Sequence, residues 1–187
     1  MKRLLFFCSL VAMIAHSQPK AQPNRAAAQQ YFTDTVLIDQ NGAPHRLYSD
    51  LMKDKVVVIN VMFTDCQDSC PMLTANQAKV QEWLGGRLGK EVLILSITVD
   101  PDHDTPEKLK AFAEKFHAKP GWYFLTGEKQ KVFTILAKLG MSVSQKEDHS
   151  NIFLIGNDRT SLWKKVFGMA PATQLISILD GVISDRG

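Results

Sequence analysis

Two cysteines in the middle of the chain, Cys66 and Cys70, are the residues whose type and spacing indicate chemistry most directly. A disulfide that closes so short a loop would remove little entropy from the unfolded chain, so a purely structural bridge explains the pair poorly. Within one helix their Cβ atoms would lie about 5–6 Å apart, too far for a disulfide, so Cys66 must lie in a loop if the pair is to oxidise. Two readings remain, a reactive dithiol or a metal-binding pair, and thiolates select soft ions such as Cu(I).

The elements on either side of the cysteines would position them at one edge of a sheet. Residues 55–63 form a β-branched apolar run with almost no polar interruption, which predicts a central parallel strand covered on both faces. Residues 71–88 have a helical apolar pattern that ends in glycines. A cysteine at the start of such a helix meets backbone N–H groups and the positive end of the helix dipole, which favour the thiolate.

The rest of the chain alternates between strand and helix patterns, which predicts an α/β domain around a mixed central sheet flanked by helices. An Asn41-Gly42 turn between two short strand patterns predicts an N-terminal β-hairpin that precedes the main sheet. Thr105 and Pro106 predict a helix start, with Thr105 as the cap. The predicted strands cover residues 35–39, 45–48, 55–63, 91–99, 122–125, 152–155 and 163–167, and the predicted helices cover 71–88, the segment from 106, 128–139 and 172–184.

The first residues resemble a targeting segment. A short basic start, an apolar run of about 12 residues and small residues before Gln18 predict a secretory signal peptide over residues 1–17, which would also remove Cys8. The run is short for a membrane span, so we expect contact with the membrane only if this segment stays uncleaved. Residues 18–31 are rich in Gln, Ala, Pro and Asn and predict a flexible tether, which leaves one domain over residues 32–187.

Charge and composition exclude a nucleic-acid partner. The formal charge of +3 falls to +1 when Lys2 and Arg3 are removed with the signal, and the basic residues are dispersed among acids. Such a chain has no basic patch to attract phosphates. An oxidising compartment and two remaining cysteines agree with a redox or metal function.

Histidines and methionines supply the remaining soft or borderline ligands. His45 and His117 are expected at the surface, and His103 lies in the loop of residues 100–104. His149 immediately precedes a predicted strand and could project from the edge of the sheet. Met62 and Met72 flank the cysteine pair, and core filling explains them better than metal binding. In the loop before the predicted helix, we interpret Asp100 and Asp104 as caps and turn formers.

Three separated motifs resemble the Sco/SenC family of thioredoxin-like copper proteins. They are VVVINVMFTDCQDSCPMLT with its Cys-x-x-x-Cys-Pro core, LSITVDPDHDTPEKLKAFAEKF, and EDHSNIFLIG, and they occur in this order. The resemblance covers the chain from about Phe32 to the C-terminus and implies a thioredoxin-like fold. The chain departs from the usual pattern at Asp65 and Gln67 and at the turn of residues 157–159, and none of these changes removes a ligand.

The resemblance implies a copper chaperone for the dinuclear copper centre of cytochrome c oxidase. The family's copper ligands fall on Cys66, Cys70 and His149, and Asp148 is a candidate to orient the imidazole of His149. The implied partner is the copper-bearing subunit of the oxidase or another extracytoplasmic copper or thiol protein. We expect a monomer in the periplasm or on the outer face of the cytoplasmic membrane.

Two other functions fit the same residues. In the first, Cys66 and Cys70 act as a redox dithiol that keeps the cysteines of an extracytoplasmic partner reduced. That reading leaves open whether the chain is an enzyme. In the second, a peroxidase of the peroxiredoxin type, a threonine and an arginine must surround one cysteine, and Thr64 precedes Cys66 by two residues rather than three.

Overall fold

The computed structural model describes residues 25–66, 70–142 and 151–187, with only the backbone of Arg25 and Cys70. In these residues the secondary structure alternates as expected, with strands and helices following each other along the chain. The strands are β1 (Val36–Asp39), β2 (Pro44–Arg46), β3 (Val56–Met62), β4 (Val92–Thr98), β5 (Trp122–Thr126), β6 (Ile152–Asn157) and β7 (Leu162–Phe167). The α-helices are α1 (Arg25–Phe32), α2 (Cys70–Leu84), α3 (Pro106–Lys115), α4 (Lys129–Lys138) and α5 (Ala172–Ser184).

The strands form one mixed sheet in the order β2-β1-β5-β4-β3-β6-β7, which confirms the predicted α/β class. β3 pairs in parallel with β4, and β4 pairs in parallel with β5. β6 runs antiparallel to β3, and β7 antiparallel to β6. The N-terminal hairpin is not separate from this sheet, because β1 pairs antiparallel with β5 and makes the hairpin one of its edges.

A polar chain inside the core fastens α2 to the central strands. Every residue of β3 and of β4 is buried, as the apolar runs predict. Asn60 and Ser96 are register partners on these strands, and the hydroxyl of Ser96 donates to Asn60 Oδ1 at 2.8 Å. Gln77 of α2 donates to the same oxygen at 2.7 Å, and the indole of Trp122 donates to Ser96 at 3.0 Å. Buried hydrogen bonds of this kind fix one arrangement of the elements they join.

The predicted tether is wrong from Arg25 onward, because the chain there forms α1. Ala26, Ala27 and Ala28 are strong helix formers. Phe32 then anchors the helix, since its ring is buried and packs 5.0 Å from that of Trp163 and 6.4 Å from that of Tyr48. The predicted signal peptide and residues 18–24 lie outside the described residues.

The second predicted strand also ends early. The chain leaves β2 at Arg46 and forms a π-helical turn, Leu47–Met52, that buries Leu47, Tyr48, Leu51 and Met52. Strand geometry would send alternate side chains to opposite faces, whereas the turn places all four of these apolar side chains in the core. α2 ends at Leu84, earlier than predicted, and a 3-10 turn follows. At α3 the prediction is confirmed, because the side chain of Thr105 accepts a hydrogen bond from the Lys108 amide.

Gly156 of β6 leaves room for the ring of an aromatic residue on the neighbouring strand β7. Its register partner is Trp163, whose ring lies so close that a Cβ on Gly156 would come within 2.1 Å of it. We expect Gly156→Ala to lower the free energy of unfolding by about 1–3 kcal/mol, because the ring of Trp163 must shift. Urea denaturation measures this change. Gly181→Ala in α5 is the control, since its Cβ would meet nothing within 4 Å, and an equal loss in both variants would contradict the packing argument.

The carboxylate of Asp39 stabilises the hairpin turn through hydrogen bonds that depend on its negative charge. One carboxylate oxygen accepts from the amides of Asn41 and Ala43, and the other lies 3.0 Å from Nε2 of His45. Burial raises the pKa of Asp39, but the hydrogen bonds from His45 and the two amides outweigh burial and lower this pKa below its ordinary value. The stability that the carboxylate contributes is therefore present above about pH 4, the unfolded pKa, and is lost as the pH falls through the folded pKa.

Asp39→Asn should make the protein less stable at pH 7 and less sensitive to acid. Urea denaturation of both proteins at pH 7, 5 and 3 measures the effect, with the exposed Asp180→Asn as a control that keeps the wild-type pH profile. Parallel stability curves for Asp39→Asn and wild type between pH 5 and pH 3 would contradict the assignment.

Candidate metal and redox site

The first cysteine lies in the loop that follows β3, one of the two fully buried strands. β3 ends at Met62, and the amide of Cys66 donates to the carbonyl of Phe63 at 3.3 Å, which closes a short turn. Cys66 is only 7% exposed and carries a free thiol. Cys70 is the first residue of α2. The predicted placement of the pair, with Cys66 in a loop after a strand and Cys70 at a helix start, is confirmed.

A buried carboxylate supports the loop that carries Cys66. Asp104, in the loop between β4 and α3, accepts hydrogen bonds from the amide of Thr64 at 3.2 Å and from its hydroxyl at 2.5 Å. Its other oxygen accepts from the hydroxyl of Thr98, at the end of β4. Hydrogen bonds to a charged acceptor are among the stronger ones in proteins. Asp104 therefore ties the residue two positions before Cys66 to the neighbouring strand.

The prediction that Asp104 caps a helix is wrong, since Thr105 caps α3, whereas its predicted place in a turn is confirmed by the hydrogen bond from its amide to the Asp100 carbonyl. The role proposed for Asp100 is confirmed, because its carbonyl accepts the amides of His103 and Asp104 in a turn. A signal for Asp104 was present in the sequence: residues 55–63 and 91–99 were both predicted as buried strands, and the carboxyl ends of parallel neighbours meet at one edge of a sheet. An acid after β4 thus comes close to the residues that follow β3.

The described histidines occupy different parts of the sheet. His103 is exposed in the loop after β4, at the edge where β3 also ends, and its Nδ1 lies 2.7 Å from Asp100 Oδ1. His45 and His117 were expected at the surface; His117 is exposed, as expected, whereas His45 is half-buried. His45 lies on the hairpin against Asp39 and Tyr123. His117 follows α3, and its backbone carbonyl accepts a hydrogen bond from the side-chain amide of Gln81.

Strand register brings the segment before β6 to the same edge. Ile59 of β3 pairs with Leu154 of antiparallel β6, so the start of β6 lies beside the end of β3. Asn151, the residue before β6, accepts the amide of Gly168 at 2.6 Å. His149 and Asp148, with Gln67, lie outside the described residues, and their roles stay predictions. Among the residues that the structure describes, no three His, Cys, Asp or Glu side chains cluster as a metal site.

The two methionines that flank the pair differ from each other. Met62 is fully buried in the core, as expected. Met72, on the first turn of α2, is 42% exposed, so the prediction that it fills the core is wrong. The helix places Leu73 and Gln77 toward the sheet and leaves Met72 on its outer flank.

A mixed sheet with one cysteine after a central strand and a second at the start of the next helix defines a thioredoxin-like domain. The family model described as SCO1/SenC matches residues 21–183, and the chain belongs to this family. Within the described residues, no helix is both long and apolar enough to cross a membrane.

Individual relatives agree with this assignment. A Bacillus subtilis SCO1 protein homolog is 30% identical over 128 residues, which are 64% of this chain and 66% of the relative. The chain thus spans just under two thirds of that relative's length. The structure is also similar to a SCO1/SenC family lipoprotein from Bacillus anthracis, with a TM-score of 0.67 and 29% identity over 79% of this chain and 92% of the other.

Two further solved structures share the fold. BsSco, described with a disulfide switch as a member of the Sco family of cytochrome c oxidase assembly proteins, gives a TM-score of 0.68 at 26% identity. That match covers 83% of this chain and 94% of BsSco. Bradyrhizobium japonicum ScoI, solved with copper bound, gives a TM-score of 0.65 at 21% identity over 79% of this chain and 96% of ScoI, a likeness in fold.

Removal of the Asp104 carboxylate should loosen the Cys66 loop. We expect Asp104→Ala to lower the free energy of unfolding by about 1.5–3 kcal/mol, because two threonine hydroxyls and an amide lose a charged partner. The thiol of Cys66 should also react faster with a colorimetric disulfide reagent. Asp102→Ala, in the same loop but with an exposed carboxylate bound to Lys129, should change stability by less than about 0.5 kcal/mol. Unchanged Cys66 reactivity in Asp104→Ala would contradict this role.

Proposed function

We propose that the chain is an extracytoplasmic copper chaperone that holds copper between Cys66, Cys70 and His149. In this proposal it delivers the ion to the copper-bearing subunit of cytochrome c oxidase or to another extracytoplasmic copper or thiol protein. The observation that carries the proposal is the position of Cys66 after β3 and of Cys70 at the first residue of α2, at one edge of the sheet. The predicted signal peptide supports the compartment.

The donor set suits copper as cargo. Two thiolates are soft ligands that favour Cu(I), and an imidazole completes a site that also accepts Cu(II). Asn151 lies beside the end of β3, and its position two residues after His149 supports the choice of His149 as the third ligand. With few ligands, the ion can pass to a partner by ligand exchange. Copper in the relative from Bradyrhizobium supports the choice of metal.

Thiol–disulfide exchange is the second candidate, and the disulfide switch described for BsSco favours it. One thiolate of the pair would attack a partner disulfide, forming a mixed disulfide and releasing a partner thiolate. The other cysteine would then attack the mixed disulfide, leaving a Cys66–Cys70 disulfide and a second partner thiolate. Two electrons pass to the partner, and the pair is oxidised.

A peroxidase is less well supported. In peroxiredoxin-type chemistry a threonine hydroxyl acts as a hydrogen-bonding group beside the reactive cysteine. The hydroxyl of Thr64 instead donates to Asp104 at 2.5 Å, so that donor is already engaged in supporting the loop.

Copper binding separates the two main candidates. The fully reduced chain should bind one Cu(I) tightly in competition with a chelator, and Cys66→Ser should abolish this binding. Loss of a group that only orients a ligand costs about 10–100-fold in metal affinity, so His149→Ala, which removes a ligand, should cost more. His103→Ala, an exposed imidazole near the same edge, is the matched control and should leave the affinity unchanged.

The opposite pattern would point to the exchange function. Weak Cu(I) binding by the wild type, unaffected by His149→Ala, would contradict the chaperone proposal. Reduction of a disulfide-bonded peptide by the reduced chain, lost in Cys66→Ser and Cys70→Ser but retained in His149→Ala, would then support the dithiol exchange protein.

A further inference from the structure

Exposed apolar side chains gather near the cysteine edge of the sheet. Of the large hydrophobic residues that the described part of the chain exposes, three belong to this edge: Met72 at 42%, Phe167 at 78% and Met169 at 60% exposure. Two of the three carry a thioether sulfur. Exposed methionines contribute little to the stability of the core, so their grouping beside Cys66 and Cys70 requires another explanation.

A tight turn carries Met169 onto the first turns of α2. The amide of Ala170 donates to the carbonyl of Phe167 at 3.1 Å, which closes the turn at the end of β7. Gly168 lies directly on Leu73 of α2, and a Cβ at Gly168 would come within 2.5 Å of the Leu73 side chain. The side-chain amide of Asn76 donates to the carbonyl of Ala170 at 3.3 Å. The turn is therefore held against α2 at two points.

Met72 lies on the same flank of α2. It precedes Asn76 by four residues, and residues at this spacing lie one above the other on a helix, with Cβ atoms about 5–6 Å apart. Asn76 contacts the residue that follows Met169. Met72 therefore lies one helical turn before the Asn76–Ala170 contact and Met169 directly before Ala170, and each methionine has a flexible side chain with three rotatable bonds.

We propose that Met72 and Met169 form a second Cu(I) site at the entrance to the cysteine site. The inference rests on the proposed copper function and adds a step to it. Thioethers are soft ligands that select Cu(I), and they are neutral, so they hold the ion more weakly than thiolates do. Copper arriving from solution or from a donor would bind the two methionines first.

The transfer that follows is ligand exchange without a redox change. A Cu–S bond to a methionine breaks as a Cu–S bond to a cysteine forms, and the ion remains Cu(I) throughout. A cysteine that enters as a thiol gives its proton to water, because the thiolate is the ligand. Because the cysteine thiolates bind Cu(I) more tightly than the methionine thioethers do, the ion moves from the methionines to the cysteines.

The direct test uses Ag(I), a soft monovalent ion with the same preference for sulfur, as a probe. In a chain with Cys8, Cys66 and Cys70 all replaced by serine, the methionine methyl groups are labelled with carbon-13 and followed by NMR. The methyl signals of Met72 and Met169 should shift as Ag(I) is added, while those of the buried Met52, Met62 and Met141 stay in place. Unshifted signals of Met72 and Met169, or equal shifts at the buried methionines, would overturn the proposal.

A kinetic test uses the chain with its cysteines present. In Met72→Leu/Met169→Leu, which keeps the apolar character, uptake of Cu(I) supplied as its acetonitrile complex should slow about tenfold or more, equivalent to roughly 1.4 kcal/mol in the barrier. The final copper content and affinity should match the wild type. Phe167→Leu, at the same edge but without sulfur, should change neither rate nor affinity.

These experiments distinguish three cases: copper binding at the methionines, copper binding at the cysteines, and an apolar patch that only contacts another molecule. If the wild type binds no tight copper, the proposed function fails, while the NMR titration still tests the methionines by themselves. Normal copper binding with an unchanged rate in the double leucine variant would overturn the entrance site alone. A slowed rate in Phe167→Leu would identify the patch as an apolar contact surface and would also overturn it.

Discussion

The position of the cysteine site depends first on how β3 pairs in register with its neighbouring strands. This strand is paired on both sides, parallel to β4 and antiparallel to β6, and its side chains are buried on both faces. A slip by one residue would turn its whole apolar pattern over and separate Asn60 from Ser96 and Gln77. Because β3 cannot slip, the position of Cys66 beyond its end is fixed relative to the sheet. The edge that β3 shares with its neighbours becomes the place where the rest of the chain can bring ligands.

Two contacts then define the surroundings of Cys66 from opposite sides. Asp104 fastens the loop before Cys66 to the end of β4. On the other side of β3, the turn at Gly168 rests on α2, the helix that begins with Cys70. The first contact is charged and buried, and the second is a close apolar approach that only glycine allows.

Strong periodic segments were predictable from sequence, and features that depend on tertiary contacts were not. The buried runs gave β3 and β4 to within a residue, and Thr105-Pro106 located the start of α3. The helix α1 was missed because its stability comes from Phe32 packing on distant Tyr48 and Trp163, which no local pattern records. Asp104 and Met72 were misjudged for the same reason, since burial and exposure at a sheet edge depend on what packs there. His149 and Asp148 remain predictions that rest on the family.

The two outer strands of the sheet influence whether molecules of the protein aggregate. An unpaired strand edge can add a strand from another molecule and so begin aggregation. Here β2 is three residues long and begins with Pro44, which has no N–H to offer, and β7 carries the exposed Lys164 and Lys165. Both edges therefore discourage self-association. This property limits strand addition between molecules of the protein at either edge of the sheet.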